Sequence, residues 1–384
     1  MTTPDWHTDE FPELRPGPPW VMQEMIEAEP ALVKTLLSDP PAGTSAAAEV
    51  ILDALEHHRP VIVAGCGTSE HAAHGVATLL RAAVGPQLSA LVQARPALSA
   101  ALDPAPGVCL VVSHDGETHA TILALDAARA VGARTIAITH QRDGSVARGS
   151  EHVLVTPRHD ESWCHTVAYT SALAAGAALA GSVGSFTAEP TTAGDLLQRA
   201  SSSPRTASVA ARLADRRVVL CAGAGSDLTT ARELALKIAE GARLPTIALE
   251  LETVLHGQLA GHEPADALVL VAITDGPDRE RIARRAGDVC RAVAAIGMPV
   301  AGLFSETYDR ALAPELTRAG RVVTELIDPV LLDSRLAGFL AGAGALQTLT
   351  LELAHARGLN PDLIRREEGP YREAAHEAEG SDEW

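Results

Sequence analysis

Short, unbroken apolar runs recur along the chain at residues 61–64, 108–113, 134–139 and 152–156, and again at 218–222, 246–251, 267–274, 299–304 and 321–327. They do not alternate with polar residues, so each reads as a strand of a parallel sheet covered on both faces. Between them, apolar residues three and four apart predict helices at 69–84, 118–131, 226–241, 277–296 and 331–357. Gly132 suits the left-handed residue that ends the second of these. A loop bearing Glu161 leads into a small-residue helix that reaches residue 179. Upstream, helical spacing covers 20–37, where Pro30 predicts a break into two short helices, and 49–58 predicts another. Residues 1–19, rich in proline and acid, read as a mobile arm.

The turns repeat as well as the strands. Val61-Ile-Val-Ala-Gly-Cys-Gly-Thr-Ser69 and Val218-Val-Leu-Cys-Ala-Gly-Ala-Gly-Ser226 both run an apolar strand into a glycine-and-hydroxyl turn that opens a helix. Val108-Cys-Leu-Val-Val-Ser-His-Asp-Gly-Glu-Thr118 is a third version, one strand–helix unit after the first. Such turns set backbone N–H groups, hydroxyls and a helix N-terminus at the carboxyl end of a strand, where open α/β sheets bind anionic or polyhydroxylated ligands. The duplication predicts two tandem doubly wound, flavodoxin-like α/β units with parallel sheets. The boundaries are an arm with leading helices at 1–42, a first unit at 43–190, a connection at 191–205, a second unit at 206–358 and a tail at 359–384. The Gly-, Ser-, Thr- and Pro-rich segment 181–204 carries one helical patch, 193–200.

Composition narrows the function. A chain of 384 residues, 46% hydrophobic and 21% charged, fills two ordinary cores, and with only 3% aromatics those cores are aliphatic. A formal charge of −18 argues against nucleic acid or an anionic membrane surface as the main partner. The five cysteines form no Cys-x-x-Cys, and three lie in strand runs, so free thiols in a reducing cytoplasm are expected. The N-terminus does not resemble a secretory signal, and the apolar stretch 172–180, bounded by Gly181, is too short to cross a bilayer. Lys34 and Lys237 are the only lysines, so any imine chemistry has two choices.

Several groups carry candidate chemistry. Gly67, Thr68 and Ser69 form an anion-binding nest, although the same hydroxyls also serve as plain helix caps. Ser113, His114, Asp115, Gly116 and Thr118 bring a second polar set to the same sheet edge. Glu233, Lys237 and Glu240 fall on one side of a helix. A solvated ion pair is the plain reading, but Leu234, Leu236 and Ile238 leave little of that helix exposed. A partly desolvated Glu240 would suit a proton-transfer base. His256, in a loop after an apolar strand, is a candidate acid/base, and Glu161 is an acid between a strand and a buried helix. His71, His74, His114, His119 and His165 fit no metal-ligand spacing, so neither metal nor cofactor is expected.

Five ordered segments together resemble the sugar isomerase (SIS) family in its tandem form, over residues 20–372. That family includes the isomerase half of glucosamine-6-phosphate synthase, sugar-phosphate deaminases and ketose–aldose isomerases. Met22-Gln-Glu-Met-Ile-Glu-Ala-Glu-Pro30 is similar to its leading helix, and Cys66-Gly-Thr-Ser69 to its "C-G-T-S" turn. Val112-Ser-His-Asp-Gly-Glu-Thr118 resembles "S-Q-S-G-E-T", Glu233-Leu-Ala-Leu-Lys-Ile-Ala-Glu240 resembles "E-G-A-L-K-L-K-E", and Leu255-His-Gly-Gln-Leu259 resembles "K-H-G-P-L".

The resemblance implies that Ser69, Ser113 and Thr118 hold a sugar's anionic group. It further implies that Glu240 moves a proton between the first two sugar carbons, that His256 opens the ring, and that Glu161 lies near the substrate. It also implies a homodimer with shared sites, His256 coming from the neighbour. The departures matter. Residue 2 is Thr rather than a glutaminase's cysteine, and the tail Asn360–Arg372 holds no imine-forming lysine, so glutamine-dependent synthesis is not expected. Asp115 stands where phosphate-binding members have serine, and His114 where they have glutamine. The expected activity is cofactor-free isomerisation or deamination of an amino- or keto-sugar, ahead as a sugar phosphate. The alternatives are a deglycase for a sugar–amine adduct or unphosphorylated derivative, and a non-catalytic sugar-phosphate-binding regulator.

Overall fold

Among the described residues ten strands form two sheets of five, and the second repeats the plan of the first. The computed structural model describes residues 4, 6–8, 11–313, 316, 320–324 and 330–379. Residues 1–3, 5, 9 and 10 of the predicted arm, 325–327 of the last predicted strand and 380–384 of the tail lie outside them. The first sheet holds β1 (Val61–Gly65), β2 (Val92–Pro96), β3 (Val108–Val112), β4 (Arg134–Thr139) and β5 (His152–Val155), in the order β2-β1-β3-β4-β5. The second holds β6 (Val219–Gly223), β7 (Thr246–Glu250), β8 (Ala267–Ala272), β9 (Val300–Ser305) and β10 (Arg321–Thr324), in the order β10-β9-β8-β6-β7. Every pairing is parallel. Within each unit this is the doubly wound 2-1-3-4-5 order of flavodoxin-like sheets, with the switch point between its first and third strands.

Helices α1 (Val21–Ser38) and α2 (Thr44–Glu56) precede the first sheet. Helices α3 (Thr68–Val84), α4 (Ala97–Leu102), α5 (His119–Ala130), α6 (Ser145–Arg148) and α7 (Val167–Val183) belong to it, and α8 (Pro190–Ala200) and α9 (Thr206–Leu213) make the connection. The second sheet carries α10 (Ser226–Ala242), α11 (Leu251–Leu255), α12 (Arg279–Ile296), α13 (Glu306–Leu312) and α14 (Ser334–Ala356), and α15 (Gly369–Glu379) lies in the tail. The helical patch predicted at 193–200 lies inside α8.

The predicted strands form, and one strand was missed. β2 reads Val92-Gln-Ala-Arg-Pro, with Gln93 and Pro96 exposed, because it is the edge of its sheet and shows no apolar run. The break predicted at Pro30 is absent: α1 continues through it as one helix of 18 residues. Met22, Met25, Pro30, Val33 and Leu36 are all buried on this helix. Gly194 of α8 lets the two helices approach so closely that a Cβ there would lie 2.7 Å from the Pro30 carbonyl oxygen. Tertiary burial outweighs the one backbone hydrogen bond that proline removes. The described part of the arm is not loose either, since Phe11 packs on Trp163 with ring centroids 4.5 Å apart and Arg372 lies over the Trp6 ring.

One aliphatic core joins the units. It runs from α1, α2, α3 and α7 through the inner faces of both sheets to α8, α10 and α14. Smaller cores cover the outer faces, with Leu125 and Val146 on the first sheet and Val254, Val289 and Phe304 on the second. α14 alone among the described residues is long and apolar enough to cross a membrane, but 89% of its apolar window is buried, which marks a core helix. α3 and α10, the helices opened by the two duplicated turns, pack against each other across the unit boundary.

The duplicated strand ends share a steric demand. A Cβ on Gly65 would lie 2.4 Å from the Ser69 carbonyl oxygen, and one on Gly223 would lie 2.6 Å from that of Asp227. Gly65→Ala and Gly223→Ala should therefore each destabilise the chain by about 1–3 kcal/mol. Urea unfolding midpoints should fall in both variants; unchanged midpoints would show that the helix starts can shift at no cost.

Candidate active site

The cradle lies at the carboxyl ends of β1 and β3, neighbours in the first sheet. Gly67 turns the chain with φ +56° and ψ −127°, and Gly225 repeats this with +58° and −129°, a backbone open chiefly to glycine. α3 starts without a side-chain cap, and so does α5 after Thr118. The Thr118 hydroxyl is thus not spent on capping, and Ser69 stands two residues past Gly67, the N-cap of α3. Ser113 Oγ lies 3.3 Å from Thr118 Oγ1, and Gly116, at φ +70°, packs beside Thr139 and Gln141. Gly67 and Thr118 are exposed and Ser69 is half-buried, so the cradle opens to solvent.

Beneath the cradle the second unit supplies a buried chain of charges. Thr68 Oγ1 donates to Glu233 Oε1 at 3.3 Å, and His71 Nδ1–H donates to Glu233 Oε2 at 2.7 Å. Lys237 Nζ lies 3.7 Å from Glu233 Oε1 and 2.6 Å from Glu240 Oε2. Burial pushes the Glu233 carboxyl up, but the Lys237 ammonium and His71 outweigh it and hold the group below the ordinary range. Burial likewise opposes the Lys237 charge, and Glu240 and Glu233 reverse that, raising it above the ordinary lysine value. Glu233 and Lys237, expected on the ligand, are instead wholly buried and engaged with protein groups. Thr68, also expected there, has its hydroxyl proton committed to Glu233. Glu240 is different: its side chain is 23% exposed and ends the chain of charges at the surface.

The other expected residues separate. His114 is buried, and its Nε2 accepts from the Asp160 N–H at 2.9 Å. Its ring proton is therefore on Nδ1, and burial lowers its pKa to about 4. Asp115 is exposed at the cradle rim, 3.7 Å from His159 Nε2. The His159 contact holds the Asp115 carboxyl down at about 2. Glu161 is exposed, and the buried acid of that loop is its neighbour Asp160, which accepts from the N–H groups of Thr166 at 2.6 Å and Ala168 at 3.0 Å and so fixes the start of α7. His256 is 74% exposed, with Glu252 Oε2 at 3.3 Å. It follows α11, which packs on the outer face of the second sheet, whereas α10 and Glu240 lie on the inner face. Within one chain His256 and Glu240 do not meet.

Two histidines went unnoticed at the sequence level. His140 and His159 follow the ends of β4 and β5, and with His114 and His165 they form a cluster with ring centroids 5.3–5.8 Å apart. Mapping histidines to strand ends, rather than to spacings along the chain, would have found them. The ligating atoms of His114, Asp115 and His159 come within 4.8 Å of one another. With Nε2 of His114 already accepting and Nδ1 protonated, only two of the three can donate to a cation, fewer than a protein metal site needs.

Residues 54–182 match the family model described as "SIS domain". The first unit is a SIS domain. Over 361 residues the chain is 26% identical to the glutamine–fructose-6-phosphate aminotransferase (isomerizing) of Pyrobaculum aerophilum, covering 91% of this chain and 56% of that relative. The chain thus spans little more than half of the relative's length. Among solved structures, the C-terminal domain of glucosamine-fructose-6-phosphate aminotransferase from Francisella tularensis superposes with a TM-score of 0.73 at 16% identity, covering 90% of this chain and 98% of that one. The tagatose-6-phosphate ketose/aldose isomerase of Escherichia coli gives 0.73 at 19% identity, covering 93% and 98%. Both share the two-sheet α/β fold of this chain.

Removing the buried ammonium should be costly. Lys237→Met leaves Glu233 charged and short of a partner in the interior, and is expected to destabilise the chain by about 3–5 kcal/mol in denaturant unfolding. The Glu233→Gln/Lys237→Met double variant should recover much of that loss. Equal instability of the two would mean that lost packing, not charge, sets the cost.

Proposed function

We propose that the chain is a cofactor-free SIS enzyme that isomerises or deaminates an amino- or keto-sugar phosphate in a reducing cytoplasm. The observation that carries this reading is the convergence of the two units: Glu240 is linked through Lys237 and Glu233 to Thr68 at the base of the first unit's cradle. Ser69, Ser113 and Thr118 hold the anionic end of an open-chain sugar. Glu240 takes the proton from one of the first two carbons to leave an enediolate and returns it to the other carbon, while the hydroxyl proton passes from one of the two sugar oxygens to the other. Lys237 fixes the orientation of Glu240 and balances its charge. Glu161, exposed on the loop after β5, contacts the substrate. The names of the similar proteins, an aminotransferase with an isomerising step and a ketose/aldose isomerase, support sugar-phosphate chemistry.

His256 completes the site from a second copy. Its exposure and its place on the outer face of the second sheet favour service to a neighbour's site over its own, so the active form is a homodimer. The absence of a disulfide among the described cysteines fits a reducing compartment. The exposed Asp115 supports a second reading, cleavage of a sugar–amine adduct, in which the carboxylate attracts the amine.

Glu240→Gln should lower turnover of a sugar phosphate, assayed over a panel with fructose 6-phosphate and glucosamine 6-phosphate, by about 10²–10⁴-fold. Dissociation constants should change little, and free amine released from a glycated amino acid would mark the second reading. Full turnover by the variant would remove Glu240 from its role.

A further inference from the structure

Resting on the reading that the cradle holds an anion, we propose that His159 is the counter-ion that makes the Asp115-bearing cradle acceptable to one, so that this pair selects the ligand. Asp115 stands between Ser113 and Thr118 on the turn after β3 and is exposed at the rim. An unpaired carboxylate there opposes an incoming anion through a wet pocket, by about threefold in affinity per unit charge at about 6 Å. A cation beside Asp115 cancels most of that.

His159 is the group placed to supply the charge. Its Nε2 lies 3.7 Å from Asp115 Oδ1, and both side chains are about half exposed, so holding the charge costs little desolvation. Its neighbours are the acids Asp115, Asp160 and Glu161 and the rings of His114 and His140, and His165 in turn lies beside His114. Contact with Asp115 raises His159 above the ordinary 6.5, and the two other acids act the same way. His114 cannot replace it, because its Nε2 accepts the Asp160 N–H and its ring stays neutral. His140 Nδ1 is turned to the Thr156 carbonyl at 3.0 Å.

A pH dependence follows. Below the raised pKa of His159 the pair carries no net charge, and the cradle presents hydroxyls and N–H groups alone. As pH rises through that value His159 loses its proton, Asp115 stays ionised, and the rim becomes negative. Anion affinity therefore falls with rising pH, and Asp115 then favours a cationic group instead.

Inorganic sulfate, whose charge is constant, is the probe, titrated calorimetrically between about pH 5.5 and about pH 8.5. The wild-type chain should lose about tenfold in sulfate affinity across that range. Asp115→Ser should bind more tightly than the wild type at every pH, with its fall moved to lower pH because His159 loses the partner that raises it, and His159→Gln should bind weakly at every pH. A wild-type profile that Asp115→Ser reproduces unchanged, or an unaffected His159→Gln, overturns the proposal while leaving the cradle reading intact. Sulfate affinity unmoved by Ser113→Ala, or no sulfate binding at any pH, overturns the cradle reading and this inference with it.

Discussion

A lysine ammonium with no exposed surface is tolerable only among carboxylates, and that constraint organises this molecule. Lys237 meets Glu233 and Glu240 along α10, while Glu233 is also held by His71 and Thr68 of α3. The two helices opened by the duplicated turns are thereby locked in one relative position. Such a network adds little net stability compared with an apolar replacement, but it admits few alternative arrangements. The cradle of one unit and the carboxylate of the other are set at a fixed separation by it. Chemistry that needs an anion holder and a base in one place depends on that separation.

The duplication explains the framework, and its divergence explains why the strand edge is open in one copy and closed in the other. Gly67 and Gly225 share their backbone conformation, and Gly65 and Gly223 share their close approach to the following helix. The side chains after the turns differ. In the second unit Asp227 accepts the N–H of Ile273 at 2.9 Å and that of Thr274 at 3.1 Å, and also the Thr274 hydroxyl at 2.7 Å. The protein's own carboxylate thus occupies the donors at the end of β8. In the first unit Ser69 replaces it, and the corresponding edge stays open.

Much of this was legible in the chain, for identifiable reasons. Strands buried on both faces write themselves as unbroken apolar runs, so the inner strands and the repeat could be read directly. β2 could not, because an edge strand with Gln93 and Arg95 leaves no such run. Pro30 misled because its local cost is small beside the burial of α1. Glu233 and Lys237 were read as a group from their spacing, but that spacing does not say which member reaches the surface. Only the packing of α3 on α10 makes Glu240 the open end. The His114–His140–His159–His165 cluster was invisible because its members are near one another only across separate loops. The loop position of His256 was legible, but not that α11 sets it on the opposite face of the sheet from Glu240.

The most direct test of convergence between the two units is hydrogen exchange at carbon. The wild-type chain, incubated in deuterated water with fructose 6-phosphate and aldose phosphates, is followed by proton NMR. The account predicts deuterium incorporation at the first or second sugar carbon of at least one ligand that the chain binds. Binding with no exchange at either carbon, for every ligand bound, would contradict it.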